Sequence, residues 1–200
     1  MLERWVTSLA RWMALAGGVM LVLLTLISVL SISGRAIFTM ANLADGEGWR
    51  AIAYPIMRAI GSMFDKLGAG PIPGDYEMVE AGTAFAVFAF LPWCQLNRSH
   101  ASVEIFTASF PTSLNRFIDL ISNGLFFAVA LLLAWRHWLG TMDKLGYGET
   151  SFILQYPIWW GYALSMIGAI VFVIVSAYCF LRSIREWRDG ETPVSGGAVH

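Results

Sequence analysis

Four long apolar stretches divide the chain, and charged residues cluster between them. The first stretch, residues 12–34, contains 23 residues without an ionisable side chain. A helix of that length is roughly 35 Å long and can cross a hydrocarbon core of about 30 Å. The other three stretches are predicted at about residues 77–97, 117–139 and 157–181, with Pro157 in the first turn of the last helix. Because these runs are continuous rather than alternating, they predict helices and not the strands of a membrane barrel.

The predicted fold class is therefore all-α, an integral membrane protein with four transmembrane helices in a single domain of residues 1–190. Residues 191–200 contain Pro and Gly without an apolar core and are predicted to form a disordered tail. In the long first loop, residues 49–67 carry apolar residues at helical spacing, which predicts an additional amphipathic helix at the membrane interface. Such a helix either shields its own bundle or docks a partner, and we favour the first interpretation.

The composition supports this class and excludes others. Apolar residues make up 57% of the chain and charged residues only 14%, against about 25% charged residues in soluble domains. The 13 Lys and Arg residues nearly balance the 14 Asp and Glu residues, which leaves a formal net charge of −1. This balance excludes a disordered polyelectrolyte and provides no basic surface for nucleic acid.

The positions of Lys and Arg predict that both termini are cytoplasmic. The strongest indication is the cluster Arg182, Arg185 and Arg188, directly after the fourth span. Cys94 and Cys179 would then lie near the cytoplasmic side, where a structural disulfide is not expected. Tryptophans near the ends of the spans are expected to be interfacial anchors, namely Trp93, Trp135, Trp138, Trp159 and Trp160.

The sequence contains no recognisable catalytic, cofactor or metal site. The centre of each predicted span lacks an ionisable side chain, which disfavours a proton or ion pathway within these helices. His100, His137 and His200 are the only histidines, so a haem held between two histidines in the membrane is implausible. No HExxH, GxSxG or P-loop pattern is present. We therefore predict that the protein is not an enzyme and requires no cofactor.

Two polar pairs near span ends are candidates for contact with another subunit. Glu77 and Glu80 share a helix face at spacing i,i+3, and Asp119 and Asn123 share one at spacing i,i+4. Acidic residues in a first turn also complement the helix dipole, so a structural role within the chain is the competing interpretation.

Small residues at intervals of four predict close helix contacts. One set lies in the first span (Ala10, Ala14 and Gly18) and another in the fourth (Gly161, Ser165 and Ala169). With large aliphatic faces remaining and no site of its own, the chain is typical of a scaffold that binds another membrane protein.

Three segments of the chain resemble the small permease subunits of TRAP transporters, the DctQ-like family. They are residues 74–80 (GDYEMVE) at the entry to the second span, residues 98–104 (RSHASVE) after it, and residues 148–151 (GETS) with 157–162 (PIWWGY) before the last span. The resemblance covers most of residues 10–188. It adds Arg98 and His100, in the basic segment after the second span, to the candidate subunit contacts.

The resemblance implies a tripartite transporter in the inner membrane of a bacterial cell. Its partners would be a large permease subunit, which moves an organic acid-type substrate by symport along a sodium gradient, and a periplasmic substrate-binding protein. The small subunit would pack against the scaffold of the large one. The long first loop departs from the usual family pattern. The alternative is a membrane anchor for a redox enzyme or another enzyme complex.

Overall fold

Four helices account for almost all of the chain that the computed structural model describes, which is residues 2–42, 55, 59, 72–97 and 111–189. These helices are α1 (Leu2–Asn42), α2 (Asp75–Leu96), α3 (Thr112–Tyr147) and α4 (Trp159–Asp189). Each is long and apolar enough to cross a membrane, which confirms the predicted all-α fold class with four spans. Apart from residues 55 and 59, the predicted amphipathic segment 49–67 lies outside the described residues, as do Arg98, His100 and the tail 191–200.

Three of the helices are considerably longer than the apolar stretches that predict them. At 1.5 Å per residue, the 41 residues of α1 span roughly 61 Å and the 36 residues of α3 roughly 54 Å. The apolar pattern marks only the part of a helix in hydrocarbon, whereas the backbone remains helical where charged residues reach the interface. These helices must tilt or project beyond a hydrocarbon core of about 30 Å.

The start of α4 corrects the prediction for Pro157. The helix begins at Trp159, and Pro157 lies before it in an isolated antiparallel bridge with Thr150. The apolar residues 152–154 belong to the loop before the helix. The predicted start at Pro157 was two residues too early, because Pro157 lies in the bridge that closes this loop.

The helices pack in the order α1, α2, α4, α3, so the chain order is not the spatial order. Helix α4 packs against both α2 and α3, whereas α1 packs mainly against α2. As a result, 44% of the residues in the most apolar stretch of α4 are buried, against 11% in α1 and in α3. Helix α4 is the central helix, and α1 and α3 are the two outer helices.

A cluster of buried apolar residues lies towards the end of the bundle where α1 begins and α4 ends, called here the terminal end. Val6 and Ala10 of α1 meet Val171, Val175 and Cys179 of α4 there. Trp93 and Leu96, at the end of α2, pack against this cluster. The opposite end, where residues 148–158 connect α3 to α4, is called the loop end.

Small residues bring the helices close together, though not all at the predicted positions. A Cβ atom on Gly17 would lie 3.0 Å from the Ala89 Cβ, whereas one on Gly18 would meet nothing within 4 Å. The prediction of a close contact at Gly18 is therefore wrong, and its neighbour Gly17 makes that contact instead. On α4 the predicted face is confirmed, since Ser165 and Ala169 are buried. Gly161 on that face packs against Ala81.

Gly168 of α4 lies directly against the Phe88 backbone of α2. A Cβ atom at Gly168 would lie 2.8 Å from the Phe88 Cβ and 3.0 Å from the Phe88 carbonyl oxygen. Pro92 lies four residues after Phe88 inside α2 and is buried. Because proline has no backbone N–H, it cannot donate the usual helical hydrogen bond to the Phe88 carbonyl. Glycine thus lets α4 cover a carbonyl that α2 itself leaves without its helical donor.

Candidate functional site

The Glu77 carboxylate joins the start of α2 to the loop between α3 and α4. It accepts hydrogen bonds from two consecutive backbone amides, that of Ile153 at 2.7 Å and that of Leu154 at 2.9 Å. Its position in the first turn of α2 follows from Gly74, the residue before the helix, whose φ of 79° suits glycine. The structure thus gives Glu77 a role inside the chain, and its predicted contact with another subunit remains a prediction.

The loop that Glu77 holds has a defined internal structure. The Ser151 amide donates to the Tyr156 carbonyl at 2.9 Å, and the Ile158 amide donates to the Glu149 carbonyl at 3.0 Å. The Tyr156 hydroxyl donates to the Glu77 backbone carbonyl at 3.3 Å. Burial, followed by the negative charges of Glu77 and Glu80, raises the pKa of the Tyr156 phenol above its ordinary value. These bonds fix the path of the loop relative to α2.

The tip of this loop displays apolar side chains. Phe152 is 90% exposed, and Ile153 and Leu154 are 53% and 40% exposed. Leu154 also packs against Gly74, where its side chain leaves no room for a Cβ atom. Sequence reasoning began the fourth span at Pro157 and made no prediction for residues 152–154, so it missed this tip. The signal that could have found it is the apolar run 152–154 shortly before Pro157.

An ion pair joins α1 and α2 at the loop end. Arg35 pairs with Asp75, the first residue of α2, and its Nη2 also donates to the Ser31 Oγ at 3.2 Å. The pair stands at the mouth of an open groove of about 450 Å³ between the two helices. This α1–α2 groove is lined by Ser28, Ile32, Arg35, Asp75, Tyr76 and Val79.

A buried polar chain crosses three helices towards the terminal end. The Gln95 Nε2 of α2 donates to the Asn123 Oδ1 of α3 at 2.9 Å, and the Asn123 Nδ2 donates to the Ser183 Oγ of α4 at 2.8 Å. All three side chains are buried. The predicted candidate Asn123 therefore lies in the interior of this chain, while Asp119, one turn earlier on the same helix, is partly exposed.

His137 forms a second polar contact between α3 and α4. Its Nε2 lies 3.0 Å from the Tyr162 carbonyl oxygen and 3.1 Å from the Ser165 Oγ. The ring also stacks on Tyr162 and contacts Phe88. Ser165 donates its own proton to the Gly161 carbonyl at 2.7 Å. Because both neighbouring atoms can accept a hydrogen bond, the geometry favours the tautomer with the proton on Nε2.

The remaining predicted residues occupy surface positions of the bundle. Glu80 is exposed on α2, one turn after Glu77, and it forms no ion pair with the residues that the structure describes. Three of the five predicted tryptophan anchors, Trp135, Trp138 and Trp160, are more than half exposed. Trp93 instead packs partly against the core, and Trp159 contacts Trp160 edge to face.

No group of three His, Cys, Asp or Glu side chains is placed to hold a metal ion within residues 2–42, 72–97 and 111–189. What the arrangement offers instead is contact surface. Helices α1 and α3 present wide apolar faces, with Val22 59% exposed on α1 and Leu132 57% exposed on α3. Such faces pack against lipid or against another membrane protein.

Comparison with known proteins gives one family. The model of the DctQ component of tripartite ATP-independent periplasmic transporters matches residues 56–186, which is more than half of the chain. The matched region contains all of α2 and α3 and most of α4. The search of curated proteins and the search of solved structures gave no match.

Proposed function

The chain belongs to the DctQ component family of tripartite ATP-independent periplasmic transporters, and we propose that it is the non-catalytic small subunit of one such transporter. In this proposal it packs against a large permease subunit in the bacterial inner membrane, with both termini in the cytoplasm. The large subunit carries an organic acid-type substrate along a sodium gradient, and a periplasmic protein delivers it. The family match is the observation that carries the proposal.

The exposed apolar face of an outer helix would form the contact with the large subunit. Helices α1 and α3 both offer such a face, because α4 occupies the centre of the bundle. The family match includes all of α3 but none of α1. The α3 face around Leu132 is therefore the first candidate for the shared contact, and the α1 face around Val22 is its natural comparison.

Site-specific photo-cross-linking distinguishes the two faces. A photoreactive amino acid is introduced at Leu132 or at Val22, which are both near the middle of their helices and almost equally exposed. In native membranes, we expect cross-linking to a larger multi-helix permease from position 132 and to lipid only from position 22. Cross-linking of the permease from position 22 alone would reverse the assignment of the face. No permease adduct from either position would contradict the proposed contact.

Copurification and uptake test the function itself. A tagged chain extracted in mild detergent should carry a large permease subunit in equal amount, identified by mass spectrometry. Deletion of the chain should abolish uptake of the substrate, and collapse of the sodium gradient should do the same in the intact system. Recovery of a cofactor-bearing enzyme in place of a permease would support the alternative of an enzyme anchor. Normal uptake after deletion would contradict the proposal.

Glu80 offers a test at a single exposed residue. If its carboxylate pairs with a cation on the large subunit, Glu80→Gln should reduce the amount of copurified permease. Glu3→Gln is the matched control, because it removes one exposed carboxylate from α1 at the opposite end of the bundle, away from the α3 face. Equal copurification by the two variants would remove Glu80 from the set of subunit contacts.

A further inference from the structure

The α1–α2 groove changes from polar to apolar along the helix axis. Arg35 is the first ionisable residue after the uncharged stretch 12–34, so it marks the membrane boundary of α1. Ser28 lies seven residues earlier and thus roughly 10 Å deeper. Ile32 and Val79 line the wall on the hydrocarbon side of the ion pair. A groove with charges at the boundary and aliphatic walls below has the polarity profile of a phospholipid.

The two charges at its mouth have opposite signs and both reach the surface. The side chain of Arg35 is 56% exposed and that of Asp75 is 16% exposed. Among the residues that the structure describes, the Arg35 side chain contacts Asp75 and Ser31 through its Nη2 alone, and a guanidinium carries five N–H donors. The remaining donors point to a phosphate, which guanidinium groups bind in a planar, bidentate geometry.

The Asp75 carboxylate discriminates between phospholipid headgroups by their charge and their hydrogen-bond donors. The carboxylate repels the phosphate of any phospholipid, and phosphatidylglycerol, whose headgroup carries no cation, has nothing to offset that repulsion. A primary ammonium can donate hydrogen bonds to the carboxylate, whereas the quaternary ammonium of a choline headgroup has no N–H to donate. We propose that the α1–α2 groove binds phosphatidylethanolamine, with its phosphate on Arg35, its ammonium on Asp75 and an acyl chain along Ile32 and Val79.

Tyr76 completes the site at headgroup depth. It lines the groove and is 76% exposed, a position typical of aromatic residues at the membrane–water interface. The lipid would cover apolar groove surface that neither helix covers. Binding of this kind is a property of α1 and α2, so it holds whether or not the chain assembles with a permease subunit.

Native mass spectrometry of the full chain tests the proposal. The protein is purified in detergent and mixed with equal amounts of phosphatidylethanolamine, phosphatidylcholine and phosphatidylglycerol that carry the same acyl chains. We expect phosphatidylethanolamine to be retained about fivefold more than either of the others, the size of effect that one interfacial ion pair produces. Equal retention of the three lipids, or preference for phosphatidylglycerol, would overturn the proposal.

Three variants and one control locate the site. Arg35→Ala should abolish the preference, and Asp75→Asn should shift it towards phosphatidylglycerol, because the ammonium loses its anionic partner and the Arg35 cation, no longer paired, favours a lipid of net negative charge. Ile32→Trp keeps both charges and fills the groove, so it should lower retention of all three lipids in a chain whose ion pair is intact. Arg136→Ala removes an exposed cation from α3 and should leave the preference unchanged.

A water-soluble compound that contains only the headgroup tests whether the acyl chains contribute to binding. Glycerophosphoethanolamine at the same concentration should not be retained, because it lacks the acyl chains that the aliphatic wall would cover. Retention of this compound at the level of the lipid would overturn the role of the groove. An unchanged preference in Arg35→Ala would place the lipid elsewhere on the protein and would also overturn the proposal.

Discussion

The Glu77 Oε1 accepts a hydrogen bond of 2.7 Å from the backbone amide of Ile153, which lies 76 residues later in the sequence. This contact and its neighbour on Leu154 attach the α3–α4 loop to the start of α2 rather than to the helices that the loop connects. The loop tip therefore keeps a fixed position although Phe152 at its summit is almost fully exposed.

Removal of the Glu77 carboxylate should release this loop. In Glu77→Ala, the amides of Ile153 and Leu154 lose their acceptor, so their hydrogen exchange should become much faster. Hydrogen–deuterium exchange with mass spectrometry of peptides covering residues 150–157 measures the effect. Glu80→Ala, on the same helix one turn later, is the matched control and should leave exchange in the loop unchanged. Equal protection in both variants would contradict the role given to Glu77.

The raised pKa of Tyr156 predicts a loss of loop stability at high pH. Because the folded loop favours the protonated phenol, its contribution is complete below the ordinary tyrosine pKa of about 10 and is lost as pH rises through the higher folded value. Subtraction of the phenolate absorbance of Tyr156→Phe from that of the intact chain isolates this titration. A midpoint at or below pH 10 would contradict the partly buried setting of the hydroxyl beside Glu77.

Replacement of Asn123 should destabilise the contact between α2, α3 and α4. Asn123→Ala removes the hydrogen-bond partner of the Gln95 amide and of the Ser183 hydroxyl, which should cost about 1–3 kcal/mol. Thermal unfolding in detergent measures the loss. A double-mutant cycle with Ser183→Ala should return a coupling of about 0.6 kcal/mol, as for hydrogen bonds between membrane helices. Strict additivity would show that the two side chains act independently.

Gly168 and Gly18 form a matched pair for close packing. Gly168→Ala places a Cβ atom within 3 Å of the Phe88 backbone, so α2 and α4 must separate at a cost of about 1–3 kcal/mol. Gly18→Ala adds the same methyl group where nothing lies within 4 Å and should not lower stability. Melting temperatures in one detergent compare the two variants. Equal melting temperatures would contradict the contact at Gly168.

The sequence was sufficient for the number and type of helices because a bilayer requires each span to satisfy its own backbone in an apolar run. It was not sufficient to predict which helices pack against each other. Nothing in the order of the spans indicates that α4 separates α2 from α3. Whether Gly17 or Gly18 faces α2 likewise depends on how α1 is rotated about its own axis. Two adjacent glycines do not determine that rotation.

Two local features show why the candidate site was harder to predict than the fold. The prediction placed Glu77 on a helix face, whereas its partners are backbone amides from a distant loop. Backbone groups carry no signature in the sequence. Asn123 was found as a polar residue in an apolar helix, but its partners Gln95 and Ser183 could be paired with it only after the helices were packed.

The central position of α4 also determines the order in which the helices can pack during synthesis. During synthesis the first two helices can pair as soon as both are in the membrane. The third then has to wait, because its main neighbour is the segment made last. Until that segment arrives, the polar side chain of Asn123 lacks Ser183 and the Phe88 carbonyl lacks the cover of Gly168. A chain whose fourth helix is not yet inserted therefore consists of a paired α1 and α2 and an α3 without its main neighbour. A quality-control protease in the membrane would meet the chain in this state.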